Sequence, residues 1–166
     1  MERFPMMPEG RDRLRAELEH LKKVERPAIS AAIETARAHG DLKENAEYHA
    51  AKDKQGMSEA RVRLIETKLA LCQVVDPEKL GGSRVSFGAT VTVLDLDTDI
   101  EAVYGIVGDE EASFKHGLLN YKSPIARGLM GKEEGDEVSI EVGAGTRTFE
   151  ILEVEFKRIP LPPLDE

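Results

Sequence analysis

The sequence contains no tryptophan, few aromatic residues (5%) and a single cysteine, Cys72. So few aromatics predict a modest hydrophobic core. One cysteine excludes an intramolecular disulfide framework, which fits a reducing compartment. No apolar run approaches the roughly 20 residues that cross a bilayer, and residues 1–10 lack the apolar stretch of a secretory signal. We therefore expect a cytoplasmic protein with no membrane partner.

Negative charge is in excess, with a formal net charge of −9, but it is unevenly distributed. Residues 1–76 hold 14 basic and 14 acidic side chains, whereas residues 77–166 hold 9 basic and 18 acidic ones. An acidic segment repels phosphate backbones, so the second half is not expected to bind nucleic acid by itself. Any contact with nucleic acid should depend on the first half or on a protein partner.

The first half has the apolar spacing of two long helices. From about Arg11 to His39, apolar residues recur every three or four positions, and Pro27 should remove one backbone donor and kink the helix. A second helix is expected to continue to Asp76 and to bury Cys72 as an inert thiol. The residues expected to face the first helix form a four-three repeat: Ala46, Ala50, Met57, Ala60, Leu64 and Leu71. Residues 1–76 are therefore predicted to form an antiparallel coiled-coil hairpin.

The second half has the pattern of a compact sheet domain. Apolar and polar residues alternate near 90–93, 102–106 and 138–142, and again around Phe149, with a phase slip at Leu152 that indicates a β-bulge. Ser123 and Pro124 predict the start of a short helix through Met130. We expect an α+β protein with a linker at 77–83, an antiparallel-sheet domain at 84–158, and an extended, poorly ordered proline-rich tail at 159–166.

The turn between the helices places two carboxylates at the far end of the hairpin. It reads Gly40-Asp41-Leu42-Lys43-Glu44-Asn45. Gly40 suits the left-handed position that ends a helix, and Asp41 with Glu44 matches a capping box. The same two carboxylates are suitable ligands for Mg²⁺, provided that another molecule supplies further ligands. From the residues alone, both interpretations stay open.

Basic and aromatic residues surround this turn. The basic ones either form a solvated helix surface or contact phosphates, and Tyr48 and His49 either stack on a base or cover the helix contact. The sequence shows no metal-binding histidine or cysteine cluster, no glycine-rich phosphate loop and no Ser-His-Asp pattern, so a self-contained enzyme site is not expected. The basic residues in question are Arg37, His39, Lys43, Lys52 and Lys54.

Two motifs resemble those of the bacterial Gre transcript cleavage factors. The run from Gly40 to Tyr48 is similar to the tip motif of that family. Val107-Gly108-Asp109 and the run from Ser123 to Leu129 are similar to its C-terminal signature. The resemblance covers nearly the whole chain, is closer to the GreA branch than to the GreB branch, and does not extend to the proline-rich tail.

This resemblance implies a coiled coil followed by an FKBP-like domain, in a monomeric accessory factor that is not itself an enzyme. Such a factor inserts its hairpin into the secondary channel of RNA polymerase and stimulates the polymerase to cleave the 3′ end of backtracked RNA. Asp41 and Glu44 would hold a Mg²⁺ shared with the polymerase, and the free protein would bind none stably. Arg37, Tyr48 and Lys52 would contact the nascent RNA, and Ser123, Pro124 and Arg127 would dock on the polymerase.

Two other functions fit parts of the sequence. A regulator of the same channel without cleavage activity would be expected to carry an altered tip, whereas this chain keeps both acids. A chaperone or prolyl isomerase is suggested only by the expected fold type, which does not imply function.

Overall fold

The computed structural model describes residues 3–163 and divides the chain into two compact units. Residues 12–71 form the helical unit. The sheet unit combines the residues up to Arg11 with those from Cys72 onward. The sequence placed one boundary at residue 76, whereas in the structure the N-terminal segment groups with the sheet unit because it pairs with the strand that begins at Cys72.

Two helical arms make up the helical unit, and the first of them is irregular. Helix α1 (Pro8–His20) passes through a π-helical turn (Leu21–Glu25) into α2 (Arg26–Arg37), and α3 (Ala46–Leu71) returns. The backbone N–H of Arg26 donates to the carbonyl of Leu21, and Pro27 follows in the first turn of α2. The structure therefore places a wider, π-helical turn just before Pro27, where it accommodates the missing donor. Helix α3 ends at Leu71, five residues before the predicted end.

The face of α3 that packs against the first arm is not the predicted one. Met57 is 75% exposed and Leu64 is 46% exposed, whereas Val62 and Ile65 are buried. The prediction failed because several inward positions are polar, so that apolar spacing alone selected a solvent-facing stripe. The residues of α3 that are buried or half-buried at three- and four-residue spacing are Tyr48, Ala51, Gln55, Ser58, Val62, Ile65 and Leu69.

Among the described residues, two arginine–glutamate ion pairs with two hydrogen bonds each join the arms beside this partly polar contact. The guanidinium of Arg26 donates to both carboxylate oxygens of Glu59 at 2.7 and 2.8 Å, and Arg61 does the same to Glu17 at 2.7 Å for each bond. The hydrogen bonds from these arginines hold the pKa of Glu59 and of Glu17 below the ordinary value of a glutamate. Such bidentate pairs add directional specificity to a contact that has few large apolar side chains.

The sheet unit is built on five strands in the order β5-β4-β3-β7-β6. Neighbours are antiparallel except β4 and β5, which run parallel. This confirms the α+β fold class, but the sequence did not predict the parallel strand β5. Leu152 has no partner between the pairs Thr92–Glu153 and Val93–Ile151, which confirms the predicted bulge. The strands are β3 (Thr90–Asp95), β4 (Ile100–Val107), β5 (Leu118–Asn120), β6 (Glu137–Val142) and β7 (Gly145–Glu155).

A short parallel pair lies outside this sheet. Strand β1 (Phe4–Met6) pairs with β2 (Cys72–Val74), with Phe4 opposite Cys72. Cys72 is therefore in a strand and half-buried, not buried in a helix as predicted. Three-residue strands are too short to show a reliable alternation in sequence, which explains why this pair was missed.

A buried carboxylate fixes the N-terminal segment to the sheet unit. Glu111 is 2% exposed, and its Oε1 accepts hydrogen bonds from the backbone N–H groups of Met7 at 3.2 Å and Gly108 at 3.0 Å. Its Oε2 is buried without a partner among the described residues and lies against Gly10, where a Cβ atom would come within 1.8 Å of it. Burial raises the pKa of Glu111 to about 6, although both hydrogen bonds act in the opposite direction.

The start of the C-terminal tail packs against the same segment. Ile159 is buried with Met7, Val107 and Leu118, and Arg158 forms an ion pair with Glu9 at 3.2 Å. The prediction that the tail is poorly ordered is wrong at Ile159, because its side chain is buried and completes a small apolar cluster. Residues 164–166 lie outside the described residues. Within residues 3–163, no helix is long and apolar enough to span a membrane.

Candidate functional site

A tight turn separates α2 from α3 and carries the two acids of interest. Gly40 has a φ of 81° and Asp41 a φ of 22°, so the chain reverses through two consecutive residues with positive φ. The N–H of Gly40 donates to the carbonyl of Arg37 at 3.1 Å, and the N–H of Glu44 donates to the carbonyl of Asp41 at 3.3 Å. The left-handed glycine predicted at this position is confirmed.

Asn45, and neither of the two acids, caps helix α3. Its Oδ1 accepts a hydrogen bond from the backbone N–H of Tyr48 at 2.9 Å, which is the bond that an N-cap residue makes. The capping-box interpretation of Asp41 and Glu44 is therefore wrong. Both acids are exposed, and within residues 3–163 neither carboxylate has a hydrogen-bond or ion-pair partner. Their negative charge is not used in holding the turn together.

The amide group of Asn45 also binds the turn itself. Its Nδ2 donates to the carbonyl of Ala36, in the last turn of α2, at 2.6 Å and to the carbonyl of Gly40 at 3.3 Å. Since one end of the side chain meets a donor and the other meets two acceptors, these contacts fix the orientation of the amide. One side chain thus joins the end of α2, the turn and the start of α3.

Cationic and aromatic side chains lie beside the turn. The guanidinium carbon of Arg37 lies 6.0 Å from the ring centroid of the half-buried Tyr48, whose ring also meets that of His49 edge-on at 5.6 Å. Lys52, one turn further along α3, donates to Gln55 at 3.0 Å. Arg37 and Tyr48 are thus neighbours at the two helix ends that flank the turn, and Lys52 lies one helical turn further along α3.

The predicted docking residues lie in the sheet unit, at helix α4 (Pro124–Leu129). Ser123 precedes the helix and its carbonyl accepts from the N–H of Arg127 at 2.9 Å, but its hydroxyl makes no cap bond. That hydroxyl is buried and has no partner among the described residues. Pro124 and Arg127 are exposed. An open concavity of about 550 Å³ beside them is lined by Tyr121, Lys122, Arg127 and Met130.

Comparison with known families decides the assignment. The family model described as the N-terminal part of a transcription elongation factor matches residues 4–74. The one described as the GreA/GreB C-terminal part matches residues 80–156. The chain belongs to the GreA/GreB family of transcription elongation factors. Both matches together span nearly all of the helices and strands described above.

Individual relatives agree with this family assignment. The chain is 56% identical to transcription elongation factor GreA of Hyphomonas neptunium over 157 residues, which cover 95% of this chain and 100% of the relative. It is also 56% identical to GreA of Psychrobacter sp. strain PRwf-1, with the same coverage. Among solved structures, GreA factor homolog 1 of Thermus thermophilus covers 93% of this chain and is itself covered to 99%, at 22% identity and a TM-score of 0.41. That score adds nothing to the assignment.

In this GreA/GreB chain, sequence reasoning missed one residue of the site. Asn45 was taken only as part of the turn, although asparagine directly before a helical stretch is a recognised capping signal. Asp41 and Glu44, three residues apart, match a capping box and therefore gave a competing capping signal. Within residues 3–163, no group of three or more His, Cys, Asp and Glu residues is placed to hold a metal ion.

Proposed function

We propose that this GreA/GreB-family chain inserts its helical hairpin into the secondary channel of RNA polymerase and stimulates the polymerase to cleave the 3′ end of backtracked RNA. The observation that carries the proposal is the pair of exposed acids at the turn. Because Asn45 performs the capping, the side chains of Asp41 and Glu44 hold neither the turn nor the helix within residues 3–163. Two carboxylates that lie on a turn between helices and have no partner within residues 3–163 are available to a site that another molecule completes.

The acids fit a shared magnesium site. Mg²⁺ prefers oxygen ligands and is often bound through one or two carboxylates, with water and substrate phosphates completing its shell. Asp41 and Glu44 would supply those carboxylates, and the polymerase would supply the other protein ligands. When bound there, Mg²⁺ would activate a water for attack on the RNA phosphate and offset the charge of the leaving oxygen.

The remaining residues of the site would position the partners. Arg37 and Lys52 would contact the phosphates of the extruded RNA. Tyr48, already in contact with Arg37, would present the remaining part of its ring to a base. In the sheet unit, Ser123, Pro124 and Arg127 would dock on the polymerase beside the concavity that Arg127 lines. Accordingly, the chain supplies charge and placement, while the chemical step belongs to the polymerase.

A cleavage assay tests this function. Arrested, backtracked elongation complexes with end-labelled RNA are mixed with the wild-type protein or with the double variant Asp41→Asn, Glu44→Gln in the presence of Mg²⁺. We expect the wild-type protein to release a short 3′ fragment and the variant to be slower by on the order of 100-fold, as for loss of a transition-state stabiliser. Since both acids are exposed and have no partner in the described part of the chain, the free energy of unfolding should change by less than about 0.5 kcal/mol.

Asp53→Asn is the matched control, because it removes a carboxylate from an exposed position of α3 away from the turn. It should leave cleavage at the wild-type rate, and all variants should retain their affinity for the polymerase. If the wild-type protein binds the polymerase but releases no fragment, the chain is a channel-binding regulator without cleavage activity. An equal loss of cleavage in Asp53→Asn would mean that general acidity, not the turn, is responsible.

A further inference from the structure

Among the side chains of residues 3–163, Asn45 makes the most hydrogen bonds to the turn that carries the acids. Hydrogen bonds from Asn45 Nδ2 reach the carbonyl of Ala36 at 2.6 Å and that of Gly40 at 3.3 Å, while Oδ1 caps α3 through the N–H of Tyr48 at 2.9 Å. A second, single contact joins the ring nitrogen Nε2 of His49 to the carbonyl of Lys43 at 3.1 Å. Asp41 and Glu44 make no side-chain bond of their own within residues 3–163, so the backbone of the turn alone sets their position.

We infer that Asn45 is a positioning residue for Asp41 and Glu44, acting through the two hydrogen bonds of its amide nitrogen. This inference rests on the proposed function. The bond to Gly40 holds the residue directly before Asp41. The bond to Ala36 ties the same amide nitrogen to the last turn of α2, so that Gly40 is held in place relative to that helix. Without these bonds, the backbone between Arg37 and Asn45 keeps its own short-range hydrogen bonds and the single contact from His49 to Lys43. The carboxylates would then sample many positions, and a site shared with another molecule would form less often.

The two functions of the side chain can be separated by substitution. Serine caps helices about as well as asparagine, but its hydroxyl is too short to reach the carbonyls of Ala36 and Gly40 as well. Asn45→Ser therefore removes the bonds to the turn and keeps the cap. Asn45→Ala removes both and serves as the matched comparison. Neither change adds a charge beside the acids.

Hydrogen exchange of the free protein reports on the turn without any cleavage. In the wild-type protein, the amides of His39, Gly40 and Glu44 are hydrogen-bonded within or next to the turn, and that of Tyr48 is bonded to Asn45. In Asn45→Ser we expect faster exchange, by about tenfold or more, at the first three amides and unchanged protection at Tyr48. In Asn45→Ala, Tyr48 should lose its protection as well. Equal exchange in Asn45→Ser and wild type would overturn the inference.

Cleavage of backtracked complexes gives the second readout. If Asn45 acts by placing the acids, Asn45→Ser should need about 10- to 100-fold more Mg²⁺ for half-maximal cleavage, as for loss of a group that orients a metal ligand. Its affinity for the polymerase should not change, whereas a hairpin that was merely destabilised would also bind the polymerase more weakly. A wild-type Mg²⁺ dependence in Asn45→Ser would also overturn the inference. Failure of the wild-type protein to stimulate cleavage would instead refute the proposed function, while the exchange measurement would still decide whether Asn45 orders the turn.

Discussion

Among single residues, Glu111 and the two acids of the turn show opposite uses of a carboxylate. Asp41 and Glu44 are exposed and unpaired within residues 3–163, so their charge is free for a partner. Glu111 is buried, and its Oε1 binds two backbone N–H groups from different segments of the sheet unit. Its other oxygen lies against Gly10, so any residue with a larger side chain at position 10 would collide with it. Glu111 thus links the N-terminal segment to the loop that follows β4.

Burial of Glu111 predicts a pH dependence of stability. Its pKa in the folded protein is raised to about 6 from an ordinary value of 4.5, so the folded state binds this proton more tightly than the unfolded state does. The contribution of this group to the free energy of unfolding is fully present below pH 4.5 and is lost as the pH rises through 6. The difference between the two limits is about 2 kcal/mol. In Glu111→Gln, this part of the pH dependence should be missing. Denaturant unfolding at a series of pH values measures it.

The matched control for that measurement is Glu141→Gln, which removes an exposed carboxylate from β6. Its stability curve should run parallel to that of the wild-type protein between pH 4.5 and 6. A Glu111→Gln curve that also ran parallel would show that the Glu111 carboxyl titrates alike in the folded and unfolded states.

Among the structural elements, helix α4 depends on a close approach to the sheet. A Cβ atom at Gly128 would lie 2.6 Å from Cγ1 and 2.8 Å from Cδ1 of Ile140, a buried residue of β6. The branched side chain of isoleucine has little freedom to move aside. Gly128 therefore lets α4 rest directly on β6, and the same helix carries the proposed docking residues Pro124 and Arg127.

We predict that Gly128→Ala destabilises the protein. Overpacking costs about 1–3 kcal/mol, which exceeds the gain of up to about 1 kcal/mol from replacing glycine in a helix. Gly56→Ala is the matched control, because Gly56 lies in the middle of α3 with open space around it. That change should stabilise by about 0.5–1 kcal/mol. Thermal unfolding of both variants shows whether each change raises or lowers the unfolding temperature. Stabilisation by Gly128→Ala would show that Ile140 of β6 moves to make room for the added methyl group.

Most of the helices and strands could be predicted from the sequence, but the packing face of α3 and its cap could not. The two arms, the sheet strands β3, β4, β6 and β7, the bulge at Leu152 and the glycine turn all follow from period, propensity or backbone preference. The inward face of α3 does not, because Gln55 and Ser58 lie on it while Met57 is exposed. Nor does the cap, since Asp41, Glu44 and Asn45 all have side chains that can accept from a helix N-terminus. Only the backbone conformation of the turn determines which of the three side chains caps α3.

For the whole molecule, residues 3–11 and residues 72–163 belong to one compact unit. Met7 and Ile159 pack in one apolar cluster, β1 pairs with β2, and Arg158 binds Glu9. The helical unit is thus an insertion between the first eleven residues and the rest of the sheet unit. The two family matches divide the chain near residue 80, so a fragment cut at that boundary would lack part of its own core.

A comparison of two fragments tests this organisation. Residues 72–166 alone would lack Met7, which would expose Val107, Leu118 and Ile159 and leave Glu111 without the N–H of Met7. Joining residues 1–11 to residues 72–166 by a flexible glycine-serine linker of about ten residues restores those contacts. We expect the joined fragment to be more stable by at least about 3 kcal/mol, comparable to the loss of a buried methionine. Replacing Met6 and Met7 by serine in the joined fragment should remove the gain. Equal denaturation midpoints for the two fragments would mean that the sheet unit folds without the N-terminal segment, and that this segment docks on a core already complete.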